Sequence, residues 1–240
     1  MSIRAVLPPS DAGPRVVAHR GASAAFRENT IDAFVGAGEL GAAGIELDVR
    51  RTADDVLVVH HDVHLDDGRM VRETSADDLP DWVPSLVDVL DAVGDLWINI
   101  EVKNHPTDPD YDAEHGISIA VAALIDAFDV RDRVLVSSFD LESLMRIREV
   151  DPTIPLGWLV WAQADPAQLI GRAEARQMMA IHPHDVLVDR SFVEQAHAAG
   201  LAVNVWTVDD PERIVALAEV GVDAIITNVP DVAVAALADG

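Results

Sequence analysis

Short apolar, β-branched runs punctuate the chain at Val16–Ala18, Ile45–Val49, Leu96–Val102, Val134–Ser137, Leu156–Val160, Val186–Val188, Ala202–Val205 and Ala224–Thr227. Between most of them apolar residues recur at helical spacing, as in Ile31–Leu40, Ile117–Phe128, Leu141–Val150 and Pro211–Val220. Side chains that can cap a helix stand at the starts: Asn29 before Ile31, Asp140 before Leu141, and Asp210 before Pro211, a favoured first-turn residue. Gly200 and Gly221 fall where helices should stop. Strands alternating with helices mean a parallel sheet, and nearly unbroken apolar runs suit strands buried on both faces. Eight such units in 240 residues favour a closed (β/α)8 barrel over an open doubly wound sheet, since that barrel takes about 250 residues. No linker rich in Pro, Gly or Ser divides the chain, so residues 1–240 read as a single domain.

One segment breaks the rhythm. The run Val56–His60 follows Ile45–Val49 too closely for a crossover helix, which needs about a dozen residues or more. The residues between, Arg50-Arg51-Thr52-Ala53-Asp54-Asp55, contain a tight turn, so the segment reads as a β-hairpin appended to the second strand. With Asp54-Asp55 as a two-residue loop, Ala53 pairs with Val56 and Asp48 falls opposite His61.

Composition narrows the class. Half of the residues are hydrophobic, which argues against disorder, and the absence of cysteine excludes disulfides and thiolate-bound metals. A formal charge of −25 repels nucleic acid and anionic lipid at long range. No apolar run approaches the roughly 20 residues that span a bilayer. Met1 to Pro14 lacks the apolar block of a signal peptide, so a cytoplasmic protein is expected.

The candidate chemistry lies at the ends of the predicted strands. The first ends in His19-Arg20-Gly21. The second carries Glu46 and Asp48, and the third Glu101 and Lys103; each pair is two apart, so its side chains share a face. The hairpin returns His61-Asp62 beside them. A barrel gathers such strand ends on one rim, where active sites of this architecture lie. Glu46, Asp48 and Glu101 offer hard oxygen ligands for a divalent metal, Mg2+ or Ca2+. Arg20 and Lys103 suit a phosphate, and His19 and His61 titrate near neutrality as an acid and base pair. Together they point to metal-assisted phosphoryl transfer from a phosphodiester.

These motifs, in order, resemble the glycerophosphodiester phosphodiesterases. The resemblance rests on Val17-Ala18-His19-Arg20-Gly21, Glu28-Asn29-Thr30, Gly44-Ile45-Glu46-Leu47-Asp48-Val49 and Val58-Val59-His60-His61-Asp62. It continues through Glu101–Lys103, Ser137–Phe139, Asn204–Val208 and Gly221–Thr227, covering nearly the whole chain. It implies a TIM barrel, a divalent cation, and hydrolysis of a small-molecule glycerophosphodiester to glycerol phosphate and an alcohol. It further implies that His19 and His61 are catalytic, that Glu46, Asp48 and Glu101 hold the metal, that Arg20 and Lys103 face phosphate, and that Trp206 lines the pocket. The chain departs from the pattern at Arg27, where the family carries proline, at Asp54-Asp55 in place of Asp-Gly, and at Asn228, where an aspartate is usual. The insertion after the hairpin, roughly residues 64 to 93, is short for the family.

Plainer readings compete at each position. His19 could be a satisfied core histidine, and Glu46 and Asp48 a solvated strand face, but unpaired carboxylates inside an apolar run would be costly. Glu101 and Lys103 could be a structural ion pair. His60 alternates with His61 and should face away, and His105, His115, His182 and His184 read as loop or surface residues. Two other functions are weighed: a non-catalytic phosphate-binding barrel, and a lysophospholipase D using an apolar groove near Trp82 and Val83. Either histidine could be the acid, either water or a glycerol hydroxyl the nucleophile, and the chain could be a monomer or a homo-oligomer.

Overall fold

A computed structural model describes residues 13–161 and 165–239; most of the Met1–Pro14 segment lies outside the described residues. The apolar runs become parallel strands: β1 Arg15–His19, β2 Gly44–Arg51, β4 Trp97–Val102, β5 Val134–Ser138, β6 Leu156–Val160, β7 Ala180–Pro183, β8 Ala202–Val205 and β9 Ala224–Thr227. Each pairs with the next, and β9 and β2 both pair with β1, so the eight close into a barrel. Helices α1 Ile31–Glu39, α2 Leu86–Ala92, α3 Gly116–Ala127, α4 Leu141–Val150, α5 Pro166–Ala175, α6 Arg190–Ala198, α7 Pro211–Val220 and α8 Pro230–Asp239 follow the strands. This is the expected (β/α)8 TIM barrel with a hairpin after the second strand.

Strand period decides which side chains reach the site. On β2, Ile45, Leu47 and Val49 join the large core between strands and helices, with Ile98 and Ile100 of β4. The alternate residues point inward. At the bottom of the barrel these are apolar, including Val17, Trp97, Leu135 and Ala224. Toward the carboxyl ends of the strands they turn polar: Glu46 pairs across with Asn99, and Asp48 with Glu101. The barrel thus packs apolar residues below and reserves its upper interior for charge.

Four expectations are corrected. The seventh strand is β7, and Val186–Val188 is not a strand: Asp185–Leu187 forms a 3-10 turn and Val186 is 68 % exposed. Local β-propensity favoured the valines, whereas the pairing slot between β6 and β8 selects Ala180–Pro183 and buries His182, which is therefore not a loop residue. Thr30, not Asn29, caps α1, its Oγ1 accepting from the Ala33 N–H; Asp140 and Asp210 cap α4 and α7 as read from sequence. The hairpin strand β3 (Leu57–Val59) pairs Arg51 with Leu57 and Val49 with Val59, one residue off the expected register. The cause is a three-residue loop, Ala53-Asp54-Asp55, closed by a Thr52–Val56 hydrogen bond with Asp55 left-handed at φ 65°, in place of a two-residue turn. Asp48 therefore lies opposite His60, whose N–H donates to the Asp48 carbonyl at 2.9 Å.

Candidate active site

The turn after β1 is built to aim backbone and side chain at one point. Arg20 adopts φ 56° and Gly21 φ 78°, and a Cβ on Gly21 would sit 2.6 Å from the Ala33 carbonyl carbon, so glycine is required there. This sharp turn directs the Arg20 N–H onto Glu46 Oε2 at 2.9 Å. The Arg20 guanidinium donates to Glu28 at 3.0 Å and lies 3.3 Å from Asp48 Oδ2. Asn29, also left-handed, donates its amide to Asp48 Oδ2 at 2.8 Å.

Glu46, Asp48 and Glu101 are buried, with ligand-type oxygens all within 4.8 Å of one another. Burial, then repulsion from Asp48 and Glu101, holds the Glu46 carboxyl well above the usual carboxylate range. Burial likewise pushes Glu101 up, against the pull of Lys103. Burial opposes ionisation of Asp48 too, but the charges of Lys103 and Arg20 outweigh it and hold that carboxyl low. Lys103 Nζ lies 2.6 Å from Glu101 Oε1 and 3.0 Å from Asp48 Oδ1. Glu46 Oε1 is buried without a hydrogen-bond partner. Three hard oxygen donors on rigid strands, Glu46 among them with an unsatisfied oxygen and a resistance to ionisation, fit a divalent hard cation.

Two imidazoles flank this cluster. His19 ends β1; its Nδ1 lies 2.8 Å from Asn228 Oδ1 and its Nε2 3.9 Å from Glu46 Oε2. His61 lies just past β3, where the chain has left the strand, and its Nδ1 lies 2.7 Å from Asp62 Oδ1. Arg50 Nε anchors this bend through the His61 carbonyl at 2.9 Å. Burial lowers the pKa of both histidines, with Arg20 adding to the effect at His19, and Lys103 and Arg20 at His61.

A cavity of about 310 Å³ opens over these groups; His19, Arg20, Glu46, His61, Glu101, Lys103 and Trp206 all line it. Asp48 is only 1 % exposed and sits beneath, acting through Arg20, Lys103 and Asn29. A second cavity of about 410 Å³ shares His61, Glu101, Lys103, Phe139 and Trp161 with the first. The wall between is aromatic: Phe139 and Trp161 stack at 5.4 Å, and Trp206 meets Trp161 edge-on at 4.9 Å. The Trp206 indole is fixed by its N–H, which donates to the His182 carbonyl at 2.8 Å.

All eight residues selected from sequence therefore converge. Asn29 and Asn228 were undervalued: one was read as a helix start, the other as a weakened end of a motif. Each contacts a site residue far along the chain, and strand period does not reveal such contacts. The groove expected near Trp82 and Val83 is absent from the site. Val83 is buried in a satellite cluster with Val58, Leu65 and Val71, and the Arg27 guanidinium covers Trp82 at 3.4 Å. No residue from 64 to 93 lines either cavity.

Comparisons with known proteins agree with this fold. The chain is 32 % identical over 241 residues to a glycerophosphodiester phosphodiesterase of Caldanaerobacter subterraneus, covering 90 % of this chain and 94 % of that protein. A glycerophosphodiester phosphodiesterase of Bacillus altitudinis is also 32 % identical, over 92 % of this chain and 96 % of its own. The Thermotoga maritima glycerophosphodiester phosphodiesterase superposes with a TM-score of 0.78 at 27 % identity, over 92 % of this chain and 97 % of that one. An Oleispira antarctica phosphodiesterase, solved with its product sn-glycerol-3-phosphate, shares the fold at a TM-score of 0.81 and 24 % identity, over 94 % of this chain and 97 % of its own. The model of the glycerophosphoryl diester phosphodiesterase family spans residues 19–232, from the end of β1 to beyond the last barrel strand, and it is to this family that the chain belongs.

Proposed function

We propose that this chain hydrolyses glycerophosphodiesters to glycerol phosphate and an alcohol. The observation that carries the reading is the shared cavity, where His19 and His61 face one pocket floored by Glu46, Glu101 and Lys103. Glu46, Asp48 and Glu101 would hold a divalent cation, Mg2+ or Ca2+. When bound there it supplies a positive charge that polarises phosphoryl oxygen.

The chain's own residues account for the rest. Arg20 and Lys103 present cationic donors to phosphate oxygens and are held in place by Glu28, Asp48 and Glu101. One histidine withdraws a proton from the nucleophile and the other returns one to the leaving alkoxide. Burial lowers both pKa values, so both rings keep a neutral form available near neutral pH. Phe139, Trp161 and Trp206 wall the cavity and hold water away from one side of the reacting centre. The enzyme in this reading acts in the cytoplasm on a small-molecule diester.

The test is release of glycerol phosphate from glycerophosphocholine by the purified protein with added Mg2+ or Ca2+. Wild-type protein inactive with both ions and with a panel of glycerophosphodiesters would reject the reading.

A further inference from the structure

The site contains a second layer of contacts behind His19 that the reaction does not use directly. Asn228 follows the last barrel strand, and its Oδ1 lies 2.8 Å from His19 Nδ1. Its Nδ2 donates to Asp209 Oδ2 at 2.7 Å, and its backbone N–H donates to Asp209 Oδ1 at 2.8 Å. Asp209 Oδ1 also accepts from the Thr227 hydroxyl at 2.9 Å. An ionised carboxylate only accepts, so the Asn228 amide can turn only one way: NH2 toward Asp209, oxygen toward His19. The Ser23 hydroxyl lies 2.9 Å from that same oxygen and 2.8 Å from the His19 carbonyl, bracing the ring from the other side. A carbonyl oxygen facing Nδ1 requires that nitrogen to carry the proton.

We propose that Asn228, locked by Asp209, is a positioning residue that fixes the tautomer and ring orientation of His19. The neutral imidazole then presents a bare Nε2 to the cavity, the atom that can take up a proton during hydrolysis. The inference rests on the functional reading above. It also gives the departure at position 228 a physical meaning. The negative charge stands one residue further from the ring, at Asp209, and reaches His19 through a neutral amide whose direction it sets. A carboxylate at 228 would face Asp209 across 2.7 Å, so residues 209 and 228 form a matched acid–amide pair.

The test uses the full-length enzyme, labelled with 15N-histidine and assayed with glycerophosphocholine. The wild type should show the Nδ1–H tautomer for His19. Asn228→Leu should lose that signature, and kcat should fall about 10- to 100-fold with little change in KM, as for loss of a residue that orients a functional histidine. Asn228→Asp should be similarly impaired by its clash with Asp209. The double exchange Asp209→Asn with Asn228→Asp rebuilds every hydrogen bond with the charge moved inward, and should recover both the tautomer and most of kcat. A folded Asn228→Leu enzyme with wild-type kcat and an unchanged His19 tautomer would overturn the proposal. So would a folded double exchange no better than Asn228→Asp alone, which decides the matter even where the leucine variant does not fold. A wild type without phosphodiesterase activity would instead defeat the functional reading, while its His19 spectrum would still test the contact.

Discussion

Lys103 Nζ lies 3.0 Å from Asp48 Oδ1, joining a lysine that lines the cavity floor to a carboxylate buried beneath it. The Asp48 carboxylate and that of Glu101 hold the ammonium in its charged form despite burial. Lys103 thus serves two ends: it offsets carboxylates that would otherwise repel one another, and it lends a cation to the cavity floor.

Lys103→Met keeps the apolar stem and deletes the charge. Turnover should fall by an amount equivalent to roughly 2–4 kcal/mol of transition-state stabilisation, the worth of one preorganised donor. The metal-free protein should melt lower, because breaking a buried pair strands its partners. Divalent-ion affinity should hold or rise. Calorimetric titration showing weaker ion binding by the variant would contradict the charge balance.

His19→Ala and His61→Ala should each lower turnover by about 10²- to 10⁴-fold, the usual worth of a general acid or base. Melting temperature should change little, because rim positions at strand ends serve the site and not the core. Near-wild-type kcat in either variant would remove that histidine from the mechanism.

Exhaustive chelation should abolish activity, and Mg2+ or Ca2+ should restore it, since the cluster of Glu46, Asp48 and Glu101 offers hard oxygen donors. Glu46→Gln should weaken ion binding, because Glu46 Oε1 is a buried carboxylate oxygen without a hydrogen-bond partner. Full activity in metal-stripped protein, verified by elemental analysis, would count against the metal role.

His182 gives the protein a built-in sensitivity to acid. It is fully buried, its Nε2 lies 3.0 Å from the Asn204 amide nitrogen, and burial holds its pKa down to about 3. The unfolded chain has a histidine pKa near 6.5, so between about pH 6.5 and 3 the unfolded state binds more protons. Stability from this residue is therefore complete above about pH 6.5 and declines as pH falls, by roughly 2 kcal/mol at pH 5. Denaturant melts of wild type and His182→Asn at pH 7 and pH 5 measure it. The wild type should lose more than the variant, and equal losses would refute the assignment.

Asp55 is a non-glycine residue held left-handed at the hairpin tip, at φ 65°. Asp55→Gly should stabilise by up to about 1 kcal/mol, and Asp55→Val should destabilise by about 1–2 kcal/mol. Equal midpoints for the two variants would mean that the turn relaxes to another conformation.

What the sequence determined by itself follows from short-range periodicity. Residues two apart on a strand share a face whatever the rest of the chain does, so Glu46 with Asp48 and Glu101 with Lys103 were readable as convergent pairs. Helices with explicit caps, such as α4 and α7, were legible to the residue because a cap is a contact between neighbours. Closure of the barrel decided the remainder. Pairing of β1 with β9 brings Asn228 to His19 across 209 residues, and no local pattern encodes that approach. The slot between β6 and β8 chose Ala180–Pro183 over the more β-prone valines that follow, because pairing on two sides outweighs local propensity. One left-handed residue at Asp55 moved the hairpin register by one, and His61 reaches the cavity because the chain leaves β3 before strand alternation would constrain it. Chemistry that depends on residue type and strand period was therefore written in the sequence, while the contacts that orient it exist only once the ring of strands has closed.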